Sequence, residues 1–339
     1  MDAHRLPLDI GTALGSDAPM SGPAPQPPAI SPSEGAAEAA VRATLGWSAP
    51  NARRFTTGLA FYVYEVRQGA NSVVVRMGLP AQSGTMTESL TLWRRLAPLG
   101  VPLPQIIADG TAQPLPLVIM SRLPGTDLGH VVHTLSSGAL TGIAHAVADA
   151  QLATISLGPG TSYGFAARPE AAPHASWSAV VAAGINRSMR RIAANGLFPV
   201  EIASPVLERF AVHRPALDAM PPTPFLHDTT TKNVIVTESG TFSGIVDVDD
   251  LCFGDPRYAV ALTKAALLAF CAGPVDYVEP WMARMGLKDD AVFAFYVAAF
   301  LLDFMSEHGM VFNGNQPPSD PATREHLAQL LRRVLGKPS

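Results

Sequence analysis

The first third of the chain and the remainder follow different periodicities. Residues 55–66 and 72–77 are rich in Val, Tyr, Phe and Thr and flank Gln68-Gly69-Ala70-Asn71, which predicts two strands around a turn. Residues 116–121 (PLVIMS) predict another short strand, and Arg122-Leu123-Pro124-Gly125 then breaks the chain. Beyond it, helical spacing dominates over 140–156, 177–195, 202–220, 258–271, 280–285, 289–307 and 321–335. Only 225–250 interrupts this pattern, with two short β-rich runs around Glu238-Ser239-Gly240. Two earlier stretches are also helical, 34–45 and 87–97, and in the second Leu90, Leu92, Trp93 and Leu96 supply a side to bury. Val101-Pro102-Leu103-Pro104 stops that helix and starts an extended segment. The expected class is α+β, with a small β-rich N-terminal lobe, a larger and mostly helical C-terminal lobe, and no internal repeat.

Three segments follow. Residues 1–34 carry many Pro, Gly, Ser and Ala and read as a mobile arm. Residues 35–122 form the first lobe and 123–339 the second. A chain of 339 residues, 47% hydrophobic, is long enough for two such bodies. Net charge is −4 with no basic run and no aromatic stacking cluster, which argues against nucleic acid as a partner. Cys252 and Cys271 lack metal-ligand spacing and fit a reducing compartment. No signal-peptide pattern opens the chain, and the longest apolar run, 291–302, is too short for a typical membrane span. The expectation is a cytoplasmic protein without a membrane partner.

Three short motifs carry chemistry. Asp228 stands five residues before Asn233 in Leu226-His227-Asp228-Thr229-Thr230-Thr231-Lys232-Asn233, just ahead of the apolar Val234-Ile235-Val236. A carboxylate there can take the proton of an attacking hydroxyl while the Asn oxygen reaches a magnesium ion. An Asp-rich turn opening a hairpin has the same spacing. Fourteen residues after Asn233, Ile245-Val246-Asp247-Val248-Asp249-Asp250 ends an apolar strand in three carboxylates. Such an end must meet water or a cation, and one tight hairpin brings Asp247 to the edge that Asn233 occupies. Gly254-Asp255-Pro256 then precedes a helix, as a cap signal would.

Together, Phe225 to Tyr258 resembles the HGDxxxxN, IDW and GDP motifs of aminoglycoside phosphotransferases, hygromycin phosphotransferase and related small-molecule kinases. The resemblance extends more weakly from about residue 35 to the end and implies a bilobal protein-kinase-like fold. It implies Asp228 as catalytic base, Asn233 and Asp247 as magnesium ligands, and Asp255 as a structural Asp behind the catalytic loop. In the first lobe it implies nucleotide binding by Gly58 in the covering loop, by Arg76 with its helix partner Glu88, and by the hinge strand with Met120 and Arg122. The second lobe is implied to be catalytic and to bind the acceptor, with Asp249, Asp303 and Glu307 as candidates. Mg2+ and ATP, or GTP, are the implied cofactor and co-substrate. The implied activity is transfer of the γ-phosphoryl group to a hydroxyl of a small molecule, an aminoglycoside-type antibiotic or a metabolite such as an amino alcohol or sugar. A nucleotide-binding pseudokinase is the other reading. The chain departs from the family pattern at Leu226-His227-Asp228, where the His is shifted by one place, and at Val248 in place of Trp. Arg76 replaces the commoner Lys, and Lys232 beside Asn233 is either a phosphate neutraliser or a solvated Lys.

Asp303 and Glu307 lie one helical turn apart at the end of the apolar run. That helix end is expected to emerge toward water or a cleft, where two carboxylates would attract a cationic acceptor. Tyr163-Gly164-Phe165 with Trp177 reads as core packing, with substrate lining as the other role.

Overall fold

The computed structural model describes residues 31–55, 61–271, 273–310 and 319–336. The expected arm falls outside the described residues up to position 30, and so does Gly58. The described residues group into two units, 31–91 with 103–123 and 92–102 with 124–336.

The first unit is a five-stranded antiparallel sheet in the order β1-β2-β3-β5-β4, with one helix packed on a face. Helix α1 (Glu34–Leu45) starts where Ser33 accepts the Ala36 N–H and stops at Gly46, whose φ of 69° few other residues adopt cheaply. Strands β2 (Tyr62–Gln68) and β3 (Asn71–Met77) form the expected hairpin, turning at Gly69 with φ 58°. On β3, Val73, Val75 and Met77 share the core face with Tyr64, Val66, Leu117, Ile119 and the α1 residues Ala37 and Val41. Arg76 falls on the other face by strand alternation. β5 (Leu117–Ser121) pairs with β3 and with β4 (Ile106–Gly110). Of the strand expected over 55–66, β2 covers Tyr62 onward while 56–60 lie outside the described residues, and β1 (Asn51–Arg54) is a separate edge strand. Its sequence, NARR, has no apolar alternation. Pairing with β2 and the Arg54 guanidinium over the Tyr62 ring, 4.7 Å from its centroid, hold it in place.

Helix α2 (Ser83–Leu96) buries Leu90, Leu92, Trp93 and Leu96 as its spacing predicts. Residues 92–102, expected with the first lobe, group with the helical unit. Trp93 Nε1 donates to the Val248 carbonyl, and Ile245 N donates to the Pro102 carbonyl at 2.8 Å.

The second unit runs β6 (Thr126–Asp127), α3 (Leu128–Val131), α4 (Ser137–Ile155), β7 (Gly164–Ala166), α5 (Trp177–Asn195) and α6 (Ser204–Asp218). It continues through β8 (Thr223–Phe225), β9 (Val234–Val236), β10 (Phe242–Ile245) and β11 (Leu251–Gly254). It ends in α7 (Arg257–Phe270), α8 (Val278–Met285), α9 (Ala291–Glu307) and α10 (Pro321–Leu335). Its strands form two three-stranded sheets, β10-β9-β6 and β7-β11-β8. Helix α9 is buried along nearly its whole length and packs on α5, α6, α7 and α10. A helix apolar on every side needs such a central position. No helix among the described residues is long and apolar enough to cross a membrane.

Two glycines are demanded by close approach. Gly125, at φ 105°, lets the chain enter β6 where a Cβ would sit 1.9 Å from the Val236 carbonyl oxygen. Gly254 lies against the Trp177 ring, which a Cβ would meet at 2.1 Å. Trp177 is fully buried, so the ring cannot swing into solvent. Gly254→Ala should therefore cost about 1–3 kcal/mol through overpacking, read as a lower denaturation midpoint with an unchanged m-value. An unaltered midpoint would show that the ring relocates freely.

Candidate active site

The loop between β8 and β9 is held from beneath by one buried side chain. Gln151 of α4 accepts the Leu226 N–H at 2.9 Å, donates to the Leu226 carbonyl at 2.7 Å and donates to Thr229 Oγ1 at 3.1 Å. Thr231 O accepts the Gly129 N–H at 3.0 Å, and Thr263 Oγ1 of α7 donates to the Thr229 carbonyl at 3.4 Å. Residues 228–231 are consequently buried although they form no regular element. Gln151 escaped the sequence reading. Its signal was a lone amide among the alanines of an apolar helix, which must find partners once buried.

Within this loop the structure joins Asp228 to Asn233. Asn233 Nδ2 donates to the Asp228 carbonyl at 3.0 Å, and Thr230 Oγ1 donates to Asp228 Oδ1 at 3.1 Å. Spending Nδ2 in this way leaves the Asn233 Oδ1 as its cation-seeking atom. Burial pushes the Asp228 carboxyl up to about 7. The Asp247 charge adds to the rise, and Thr230, Lys232 and Asn233 work against it.

The β9–β10 hairpin returns the chain to this loop. Val246 N donates to the Asn233 carbonyl at 2.9 Å, immediately before Asp247. Asp247 is exposed and holds φ at 61°, the sole described non-glycine residue in the left-handed region. Asp tolerates that region better than most residues. Two neighbouring groups are also shifted. Burial pushes the Asp250 carboxyl well up, aided by Asp249, Asp247 and Asp228. Burial pushes the His227 imidazole down to about 4 against the pull of Asp249, so this ring is neutral at pH 7. Phe165 stands edge-on to it at 4.8 Å, and its Nδ1 lies 3.4 Å from Asp250 Oδ1 without hydrogen-bond alignment.

Asp255 closes the region from behind. It accepts from the Arg257 backbone N–H, from Arg257 Nε and Nη2, and from the Tyr296 hydroxyl at 2.6–3.1 Å. Trp177 Nε1 donates to that hydroxyl at 2.7 Å, so Trp177 is a core residue.

The nucleotide-binding candidates of the first unit lie on or next to its sheet and on α2. Arg76 is buried with its guanidinium 4.0 Å from the centroid of the Phe61 ring, and Glu88 stands on the exposed side of α2. Met120 pairs across the sheet with Val74 and Ile106. Arg122 Nε donates to Glu65 at 3.3 Å and its Nη1 to the Leu123 carbonyl.

The end of α9 corrects the expectation of a water-facing acidic pair. Asp303 and Glu307 are each 5% exposed. Arg187 Nη2 donates to both Asp303 oxygens at 3.0 Å, and Arg191 Nη1 lies 3.8 Å from Glu307 Oε1. Helix α9 runs into the core rather than out of it, and arginines from α5 meet its carboxylates. The surplus of negative charge that a cationic acceptor would need is absent from this pair. Neither arginine was singled out from sequence, because their spacing on α5 looks like an ordinary polar face.

The model of the APH phosphotransferase enzyme family matches residues 51–278, which is most of the chain. The chain belongs to this family. The three motifs all lie inside the matched span, and the family makes the protein a phosphotransferase, a small-molecule kinase. No curated protein sequence matches it. A thermostable mutant of aminoglycoside phosphotransferase APH(4)-Ia, in complex with ADP and hygromycin B, is similar in structure. Its TM-score is 0.61 at 14% identity, with 89% of this chain and 99% of that one covered. The streptomycin–ATP complex of APH(2")-IIa gives 0.58 at 13% identity, covering 90% and 97%. A protein named as a fructosamine-3-kinase, from Haemophilus somnus 129PT, gives 0.57 at 13%, covering 87% and 95%. Likeness at these identities establishes the shared kinase-like fold.

Replacing Gln151 by Leu would strand the Leu226 N–H and carbonyl in the interior. Each buried group left unmatched costs about 1–3 kcal/mol, so the melting temperature should fall and the Leu226 amide should exchange faster. Exchange at the parent rate in a folded Gln151→Leu protein would mean that the loop holds itself.

Proposed function

We propose that this chain transfers the γ-phosphoryl group of ATP to a hydroxyl of a small molecule, with Asp228 as the base and Asn233 and Asp247 as magnesium ligands. The observation that carries the proposal is the direct tie between the Asp228 and Asn233 segments, with the Asp247 hairpin bonded back onto Asn233. A buried carboxyl pushed up to about 7 is a stronger base than an exposed one and can accept the acceptor hydroxyl proton as the new P–O bond forms. Thr230, donating to one carboxyl oxygen, fixes the orientation of the group.

The donor set suits a magnesium ion. Asn233 and Asp247 offer hard oxygens, and among the described residues no three His, Cys, Asp or Glu are grouped to hold a metal alone. Magnesium commonly binds through one or two protein oxygens and takes the rest from phosphate and water. When bound, it would neutralise charge on the triphosphate oxygens. Arg76 and Glu88 are the proposed triphosphate-holding pair, and Met120 and Arg122 the proposed nucleotide-base contacts. ATP is favoured as co-substrate because structures of similar fold are complexes with ADP or ATP. The acceptor reading keeps metabolites beside aminoglycosides, because a protein named as a fructosamine-3-kinase also shares the fold and Asp303 and Glu307 are met by arginines.

Asp228→Asn should retain nucleotide affinity and lose roughly 10²-fold or more in kcat. An unchanged kcat removes Asp228 from the mechanism. Asn233→Ala and Asp247→Ala should each weaken nucleotide binding in the presence of magnesium and leave magnesium-free binding unaltered. Titrations that match the parent protein would refute the metal assignment.

A further inference from the structure

The segment that carries Asp247 is short and held from outside. β10 ends at Ile245 and β11 begins at Leu251, so residues 246–250 cross from one sheet to another. Asp247 lies near the start of this crossing with φ at 61°. A left-handed backbone at a residue other than glycine persists where surrounding bonds impose it.

Those bonds come from two directions. Val246 N donates to the Asn233 carbonyl at 2.9 Å, which ties the residue before Asp247 to the base loop. On the other side, the Val248 carbonyl accepts the indole Nε1–H of Trp93, from 155 residues earlier in the chain. Trp93 belongs to the end of α2 that groups with the helical unit. Pro102, in the same stretch, offers its carbonyl to Ile245 N at 2.8 Å. Residues 93 and 102 therefore grip 248 and 245, with Asp247 between the two grips. A change of φ at Asp247 turns the chain after it relative to the chain before it, which these bonds oppose.

Packing leaves Trp93 little freedom. Its ring is 4% exposed, and Leu92 and Leu96 beside it are fully buried. The bond to Val248 is itself buried. A buried indole needs an acceptor, and here that acceptor is the carbonyl one residue beyond the proposed metal ligand. A hydrogen bond and the strain of one left-handed residue are of comparable size, so losing the indole bond is enough to shift the balance at Asp247.

We infer that Trp93 is a positioning residue for the magnesium site, its indole holding Asp247 in the backbone conformation that sets the direction of its carboxylate. This rests on the reading of Asp247 as a magnesium ligand and adds a residue that acts only through Val248 and Asp247.

Trp93→Phe keeps an aromatic ring in the core and removes the donor. With full-length protein, calorimetry measures ADP affinity with and without magnesium. The gain in affinity on adding magnesium should fall about fivefold in Trp93→Phe, the effect of one hydrogen bond. ADP affinity without magnesium should match the parent. Amide exchange of the metal-free protein gives a second reading. Val246 should exchange faster in the variant, while Leu226, held by Gln151, keeps the parent rate. A Trp93 that serves the core alone would lower the melting temperature and leave the magnesium gain as it was. The inference is overturned if the magnesium gain equals the parent's or if magnesium-free affinity falls by the same factor. It is equally overturned if Val246 keeps its parent rate or speeds up only together with Leu226. Should Trp93→Phe not fold, benzothienylalanine at position 93 keeps the outline of the indole with sulfur in place of N–H, and the same outcomes apply. Asp247→Ala separates the two claims. A magnesium gain lost there but intact in Trp93→Phe removes the role of Trp93 and leaves Asp247 a ligand. A gain intact in Asp247→Ala removes the ligand, and the role of Trp93 with it.

Discussion

The carboxylate of Asp255 is the point on which the helical unit converges. It accepts from three nitrogens of Arg257 and from the Tyr296 hydroxyl, which accepts in turn from Trp177. Arg257 also forms two bonds to Asp290, whose side chain caps the start of α9 through Val292 and Phe293. One buried group thereby ties the end of β11, the start of α7 and the helices α5 and α9. Removing one partner from such a network leaves a buried charge uncompensated, at a cost of about 3–5 kcal/mol. Its reach explains why Trp177 lies against Gly254 and why no side chain fits there.

A rigid frame of this kind allows the loops it carries to be unfavourable locally. Asp247 keeps a left-handed backbone, a conformation that costs on the order of 1 kcal/mol for a non-glycine residue. Asp228 is buried as a carboxyl, and burial makes it a better proton acceptor. Both penalties are sustained by the bonds of Gln151 beneath the loop and by the β9–β10 hairpin beside it. The same principle applies to α9. An apolar helix packed on all sides carries two carboxylates into the interior, and α5 must present arginines to meet them.

Much of the helical framework was legible because its signals are local. Helices α1, α5 and α10 begin and end where Ser33, Ser176 and Asp320 cap them and where periodicity stops. The β2–β3 hairpin was legible from its turn residues. The sheet β7-β11-β8 was not, because its strands have three or four residues and pair across long separations, Ala166 with Leu251 and Phe225 with Cys252. Three residues are too few to display a period, and the partners are invisible until the chain has folded. β1 was missed for a related reason: its polar sequence takes extended form only against β2.

The candidate site divides along the same line. Sequence by itself determined the identity and order of the candidates Asp228, Asn233, Asp247 and Asp255, and the hairpin spacing that returns Asp247 to the Asn233 segment. It also determined the helical character of 289–307, through its helical spacing and the apolar run 291–302. Tertiary structure decided what those groups became. Burial, which depends on every surrounding element, raised Asp228 and neutralised His227. The packing of α5 on α9 turned an apparently solvated acidic pair into an arginine-matched cluster. Local sequence records which charges a helix carries, whereas their partners and their distance from water are set by elements more than a hundred residues away.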